Sequence, residues 1–274
     1  MNAKRTTTVL LLAVVAAAAG GCTVKEDRQR CPCFLDLDYR AMLAKDLLLG
    51  EPGTMDVAVF LPELACRSSY SIEDCPEVEE QSVPRSEARV IGVLSSRRQD
   101  GVLDSGTKIV YDAGNQIDSV YVHSSVVDCS GEEAVCELHP LKQFSTVFLT
   151  DEEDGAILRK YNLVVKGTTC GLDALDLSAL SGEYLYTVQE YDRDGGVSVR
   201  IPRQTDSRLI LEFYDKETYQ HLFSAPLGTY LFDAGYDTEA EELQDYTFKI
   251  NFEQTLVYLR IAGWEEEFIY KLFK

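Results

Sequence analysis

The stretch Phe144-Ser145-Thr146-Val147-Phe148-Leu149-Thr150 carries apolar residues at strand spacing. Asp151-Glu152-Glu153-Asp154-Gly155 then interrupts it, and Ile157-Leu158-Arg159-Lys160-Tyr161-Asn162-Leu163-Val164-Val165 takes the pattern up again. Short runs of this kind, rich in Val, Phe, Tyr and Thr, have the period of a half-buried strand. The acidic interruption ends in Asp-Gly, which suits a hairpin turn or a junction between two domains.

Outward from this point the same pattern recurs on both sides. Before it come Phe34 to Tyr39, Asp56 to Leu61, Arg89 to Leu94, Lys108 to Tyr111, Ser119 to His123 and Ala134 to Leu138. After it come Tyr184 to Tyr191, Val197 to Ile201, Leu209 to Tyr214, Tyr246 to Phe252, Leu256 to Ile261 and Phe268 to Phe273. Two sets of similar size, each spaced by turn residues, predict an all-β chain of two sandwiches rather than an α/β sheet with helical crossovers. The expected division is a signal peptide over 1–21, a tether over 22–33, one sandwich over 34–152 and another over 153–274. Short helices are expected at Ala41 to Leu49, Leu172 to Leu180 and Thr238 to Gln244. Arg67 to Ser86, with Pro76, Pro84 and many acids, reads as a loop insertion.

The N-terminus decides where the chain goes. Lys4 and Arg5 precede an apolar run from Val9 to Ala19, followed by Gly20, Gly21 and Cys22, the basic, apolar, small-residue order of a secretory signal. The run is shorter than the ~20 apolar residues of a spanning helix. Ala19-Gly20-Gly21-Cys22 resembles a bacterial lipobox, with Ala19 in the place that usually holds Leu, so Cys22 is expected to be lipidated with palmitate-type chains. Ala17-Ala18-Ala19 offers ordinary signal peptidase a rival site. Val24-Lys25-Glu26-Asp27 resembles the acid-rich export signals of Bacteroidetes surface lipoproteins, and an acidic, solvated tether explains it as well. Cell outer membrane, with the lipid on Cys22 as the attachment, is the expected location. A net charge of −20 repels phosphate backbones and makes nucleic acid an improbable partner.

Eight cysteines in an exported chain are candidates for disulfides. With Cys22 committed to lipid, local pairs of Cys66 with Cys75 and of Cys129 with Cys136 are expected, the second across the apparent hairpin tip Ser130-Gly131-Glu132-Glu133. Cys31, Cys33 and Cys170 remain, so at least one thiol is expected free or bridged to another chain. Cys31-Pro32-Cys33 lacks the C-x-x-C spacing of a zinc knuckle, and no metal site is assigned. His123, His139 and His221 show no ligand spacing. No G-x-S-x-G elbow, P-loop, H-E-x-x-H or dinucleotide fingerprint is present, so no cofactor and no catalytic residue is assigned and the chain reads as non-enzymatic. Asp192-Arg193-Asp194-Gly195-Gly196 lacks the remaining ligands of a calcium loop and reads as a hairpin turn. Asp118-Ser119-Val120 fits the Asp-Ser/Thr-apolar pattern of Bacteroidetes O-glycosylation, which makes Ser119 a candidate acceptor.

In order along the chain, three marks resemble the FimB-like fimbrial anchor (minor fimbrial subunit) family of Bacteroidales. They are Cys22 followed by Val24-Lys25-Glu26-Asp27-Arg28 and Cys31-Pro32-Cys33-Phe34, then Leu138-His139-Pro140-Leu141-Lys142-Gln143-Phe144-Ser145-Thr146-Val147, then Ile261-Ala262-Gly263-Trp264-Glu265. The residues around Cys66 to Cys75 and the additional residues in Leu138 to Lys142 depart from the family pattern. The resemblance implies two tandem transthyretin-like β-sandwich domains, the mid-chain strand closing the first. It also implies fimbrial subunits as partners and a role in anchoring, terminating or capping a fimbrium, with joining by strand addition. The rival readings are a surface lipoprotein that binds a glycan or host protein through aromatic residues, and a fimbrial tip adhesin. The C-terminal run Phe268 to Phe273 reads equally as a satisfied edge strand or a donor.

Overall fold

The computed structural model describes residues 31–45, 53–96, 103, 106–152, 156–193 and 195–272. Through the first half the elements are β1 (Cys33–Asp38), α1 (Arg40–Leu43), β2 (Thr54–Phe60), β3 (Ala65–Ser71), β4 (Val78–Val83), β5 (Glu87–Ser95), β6 (Lys108–Val110), β7 (Val120–Asp128), β8 (Glu133–Glu137) and β9 (Leu141–Lys142). They continue with β10 (Phe144–Asp151), β11 (Tyr161–Asp173), β12 (Ser178–Thr187), β13 (Val197–Pro202), β14 (Ile210–Asp215) and β15 (His221–Ala225). The chain finishes with α2 (Leu227–Asp233), β16 (Tyr246–Asn251), β17 (Leu256–Ile261) and β18 (Glu267–Lys271). Sheet 1 has the order β4-β1-β8 and sheet 2 the order β3-β2-β5-β7-β9. Sheet 3 runs β12-β11-β14-β15 with β6 also on β11, and sheet 4 runs β13-β10-β16-β17-β18. The fold is all-β and built of packed sheets, as the strand pattern predicts.

Alternation explains the layering. On β1, Cys33, Leu35 and Leu37 point inward, and they meet Met55, Val57 and Val59 of β2 and Val90 and Leu94 of β5 in a core between sheets 1 and 2. The other face of sheet 2 is buried too. Ala58, Ile91, Val93 and Val122 belong to a larger core with Val147 and Leu149 of β10, Leu163 and Val165 of β11, Leu211 and Phe213 of β14 and Phe248 and Ile250 of β16.

Several local expectations give way to this topology. Most of the segment that reads as an insertion, Arg67 to Ser86, forms β3 and β4, because polar edge strands have no apolar period to betray them. Leu172 to Leu180 makes no helix: it is the end of β11, a turn over 174–177 with Leu177 at φ 61°, and the start of β12. Thr238 to Gln244 is also not helical, whereas the unexpected α2 precedes it. At Ala41 to Leu49 only α1 forms, and residues 46–50 lie outside the described residues. Turns that read as hairpins prove to be passages between sheets: β7 and β8 belong to sheets 2 and 1, and β12 and β13 to sheets 3 and 4.

The same correction moves the junction. The sequence pattern places β10 at the close of the first sandwich, yet it lies between β13 and β16 in sheet 4, while β9 pairs with β7 in sheet 2. The chain therefore crosses between sheet pairs at Gln143, ahead of the Asp151 to Gly155 junction, and 34–152 is not one sheet unit. β6 also departs from that division, pairing with β11. Asp151 instead acts locally. Its carboxylate accepts the backbone N–H of Ile157 at 2.9 Å and of Leu158 at 3.0 Å, tying down the turn that leads to β11.

Gly92 in β5 marks the tightest approach in the smaller core. A Cβ there would stand 2.5 Å from Leu138 Cδ2 and 3.3 Å from Met55 Cε, so only glycine leaves room for the fully buried Leu138. Gly92→Ala is expected to cost about 1–3 kcal/mol by overpacking. Leu138→Ala is expected to cost about 2–5 kcal/mol by cavity formation. The double variant should lose less than the sum, because the two changes relieve each other. Denaturant melts of the four proteins measure this, and strict additivity would contradict the contact.

His123 pairs with Gly92 across β5 and β7 and is 6% exposed. Its Nδ1 accepts the backbone N–H of His139 at 2.9 Å, so that nitrogen carries no proton, and Nε2 faces Ser125 Oγ at 2.8 Å. Burial, and then the neighbouring His139 imidazole, hold its pKa below the usual 6.5. The unfolded chain therefore takes up this proton first as pH falls. Stability from this residue is complete above pH 6.5 and is lost as pH drops below it, by at most about 1.4 kcal/mol per pH unit. Melting curves between pH 7.5 and 5.5 should show that slope, and His123→Gln should flatten it; an unchanged slope would contradict the assignment.

Candidate assembly surfaces

The residues singled out from sequence fall in different places. Cys22 lies outside the described residues. Ser119 is 1% exposed, its N–H donates to Ser96 Oγ at 3.0 Å, and its hydroxyl accepts Arg200 Nη1 at 3.2 Å. That burial corrects the glycosylation expectation, since a glycan on this hydroxyl would displace the arginine and the packing around it.

All the described cysteines are free thiols, so neither expected local pair is joined in the structure. Cys66 sits on β3 opposite Val59. Cys75 lies near Tyr39 and Glu79, its thiol donating to Pro76 O at 3.6 Å, and burial pushes its pKa up to about 11. Cys136 contacts Ser125 Oγ and His123 Nε2, both at 3.6 Å, whereas Cys129 stands against Cys33. Local pairing leaves Cys33 without a role, although its place in the inward series Cys33, Leu35, Leu37 is a readable signal.

No group of three or more metal-ligating side chains occurs among the described residues. The His123–Ser125 contact is not a nucleophile–base pair. With Nδ1 occupied as an acceptor, Nε2 holds the proton and the hydroxyl accepts it, the wrong tautomer for drawing a proton from serine.

The edges offer backbone rather than side-chain chemistry. β8, β15 and β18 each end a sheet without a further strand partner among the described residues. Each carries an exposed apolar residue: Val135 at 63%, Leu222 at 46% and Ile269 at 59%. In β8 and β18 charged residues flank it, Glu133 and Glu137 in one and Glu267 and Lys271 in the other. Exposed N–H and C=O groups beside an apolar side chain can take an added strand, and flanking charges restrict what pairs there. Over Glu267–Lys271 the C-terminal run is an edge strand, paired with β17 on one side.

A polar clamp holds the crossing at Gln143. Arg203, 7% exposed, donates to Gln143 Oε1 at 3.0 Å and to Thr238 O at 2.7 Å, and Gln143 Nε2 donates to Glu241 O at 2.8 Å. Lys142 Nζ meets Asp245 Oδ1 at 2.5 Å, and the same oxygen accepts the N–H of Thr146. Sequence reasoning quotes Gln143 only within the mid-chain mark and gives no role to it, to Arg203 or to Asp245, which come together only through sheet packing.

Beside the clamp a groove of about 320 Å³ is lined by Phe148, Asp245, Thr247, Arg260 and Trp264. Gly263, at φ 83°, turns the chain so that Trp264 N–H reaches Ile261 O at 3.1 Å, and the indole Nε1 donates to Gln244 Oε1 at 3.0 Å. A deeper cavity between α2 and β13, near Tyr236 and Gln204, holds only about 50 Å³. That is well below the ~300–1,000 Å³ of ordinary ligand pockets.

No protein-family model and no curated protein matches the sequence. Solved structures do match. A Bacteroides thetaiotaomicron protein proposed to bind polysaccharide superposes with a TM-score of 0.62 at 12% identity, covering 88% of this chain and 99% of its own. A proposed adhesin from Bacteroides ovatus gives 0.56 at 12% identity over 89% of this chain and 97% of its own. The fimbrial anchor protein Mfa2 from Porphyromonas gingivalis gives 0.53 at 8% identity over 89% of this chain and all of its own. The chain has the all-β sandwich fold of these Bacteroidales structures, matched across nearly their whole length.

Proposed function

We propose that the chain is an outer-membrane lipoprotein, held by lipid on Cys22, that serves as anchor or accessory subunit at the base of a fimbrium and so supports cell adhesion. One observation carries this reading: the fold spans 89% of this chain and the whole of a fimbrial anchor protein, in a sequence whose Ala19-Gly20-Gly21-Cys22 also resembles a lipobox. The edges β8, β15 and β18 support strand addition as the mode of contact with other fimbrial subunits. The reading involves no catalysis, cofactor or nucleic acid. A lipid on the mature subunit favours an anchor over a tip adhesin, because a tip subunit has no use for a membrane attachment. Among the described residues no helix is long and apolar enough to cross a membrane, so the proposed attachment is the lipid. Two or more acyl chains make such attachment stable, each buried methylene contributing about 0.8 kcal/mol.

A second reading has its own support. The Trp264 groove pairs an aromatic ring with Arg260 and Asp245, and one structural relative is proposed to bind polysaccharide, so glycan binding at this groove is the rival.

Cys22→Ala removes the thiol that would receive the lipid and leaves the sandwiches untouched. The variant is expected to leave the membrane fraction, with partner fimbriae shed or abnormally long, as read by fractionation and electron microscopy. Normal, cell-bound fimbriae on cells carrying only this variant would sink the anchor reading. Lipidated wild-type protein that captures no fimbrial subunit, but loses glycan binding on Trp264→Ala, would put the second reading in its place.

A further inference from the structure

We propose that Cys33 and Cys129 form a disulfide that fastens β1 to the passage between β7 and β8, where the N-terminal tether joins the fold. Both residues are fully buried in the same core between sheets 1 and 2, and the Cys33 thiol lies close enough to act directly on that of Cys129. The backbone brackets the pair from three sides. Cys33 lies opposite Val83 of β4, Cys129 N–H donates to Ser86 O at 3.1 Å, and the next residue of β1, Phe34, donates to Glu132 O at 2.9 Å.

The alternative partner lies at another level. In the parallel pairing of β1 and β8, Cys136 is opposite Leu37, four residues beyond Cys33, which is about 13 Å along the strand at ~3.3 Å per residue. Its thiol packs on Ser125 and His123. A disulfide needs Cα atoms within about 7 Å, so Cys136 is out of reach of Cys33; of the two thiols that act on Cys129, that of Cys33 does so more strongly.

Burial first, and then the Cys33 thiol, push the pKa of Cys129 up to about 11, so the folded protein offers little thiolate. The exchange therefore belongs to folding. One thiolate attacks an oxidised donor disulfide, either glutathione disulfide or an envelope thiol oxidase, and releases one donor thiolate. The second cysteine thiolate attacks the mixed disulfide and releases the other. Two protein thiols are oxidised, one donor disulfide is reduced, and the two protons lost by the cysteines end on the two donor thiols. Oxidation in the cell rests on the proposed export, because such bridges persist in oxidising compartments.

The test uses full-length protein recovered from the cell envelope, alkylated at harvest and mapped without reduction. Trypsin leaves Cys31 with Cys33 in residues 31–40 and Cys129 with Cys136 in residues 109–142, and a glutamate-specific protease cuts at Glu132 and Glu133 between the latter two. A Cys31→Ser variant resolves the former. The expected map links the 31–40 peptide to the Cys129 peptide, with Cys136 alkylated, and the link survives Cys31→Ser and Cys136→Ala. Bridging so long a loop should make Cys33→Ser melt about 10 °C lower than the oxidised protein and no lower than the reduced one. A Cys129–Cys136 link, or alkylated Cys33 and Cys129 in envelope protein, overturns the proposal. Refolding the full chain in mixed reduced and oxidised glutathione separates this from export. Failure to form the bridge there overturns the pair, whereas its formation there, beside leader-bearing, cytosolic protein in cells, overturns export alone.

Discussion

Burial of sheet 2 on both faces is the constraint from which the rest of the architecture follows. On β2, Met55, Val57 and Val59 enter one core while Ala58 enters the other; on β5, Val90 and Leu94 divide from Ile91 and Val93 in the same way. An antiparallel sheet commonly keeps one face in water. Here each face is covered, so a one-residue slip of β2 against β5 would exchange the contents of the two cores rather than merely expose one of them. Register is fixed from both sides, and sheet 1 is tied to sheets 3 and 4 through the layer they share.

A shared layer creates a polar problem at the place where the chain leaves it. Between β9 and β10 the backbone passes from sheet 2 to sheet 4, and Gln143 is 1% exposed there. A buried amide without partners would cost roughly 1–3 kcal/mol. Arg203 and Glu241 O satisfy both ends of its side chain, while Asp245 holds Lys142 and the Thr146 N–H across the same gap. Since the arginine comes from the end of β13 and Asp245 precedes β16, the clamp closes only after sheet 4 is assembled. It records the correct docking of the sheets rather than driving their formation.

What is legible in the sequence follows from the same physics. β17 forms over the residues that read as a strand, Leu256 to Ile261, because its inward side chains Val257, Leu259 and Ile261 alternate cleanly. β3 and β4 escape a sequence reading because edge strands rich in Ser, Glu and Gln bury little. Sheet membership is illegible: a polar turn after a strand has the same composition whether the chain folds back beside it, as at β16–β17, or crosses to another sheet, as at β12–β13. That Cys33 stands beside Cys129 is illegible too, because the parallel pairing of β1 with β8 that brings the two segments together is long-range. The three-residue pattern at Ser119 carries no trace of Arg200, the distant residue that covers it.

These placements bear on how an anchor would carry load. In the proposed role, force from a fimbrium returns to the membrane through the tether and enters the fold at Cys33, the first residue of β1. β1 is the central strand of sheet 1, hydrogen-bonded to β4 on one side and β8 on the other, and its inward residues are fixed in the core. Tension along such a strand strains both ladders at once, so the bonds share the load instead of breaking singly as they would in an edge strand peeled from its end. Resistance to forced unfolding is set by the unfolding rate, which depends on how many interactions must fail together. A covalent link at Cys33 would place the strongest connection at the first residue to feel the pull and pass the load to β7, in the layer that both cores hold.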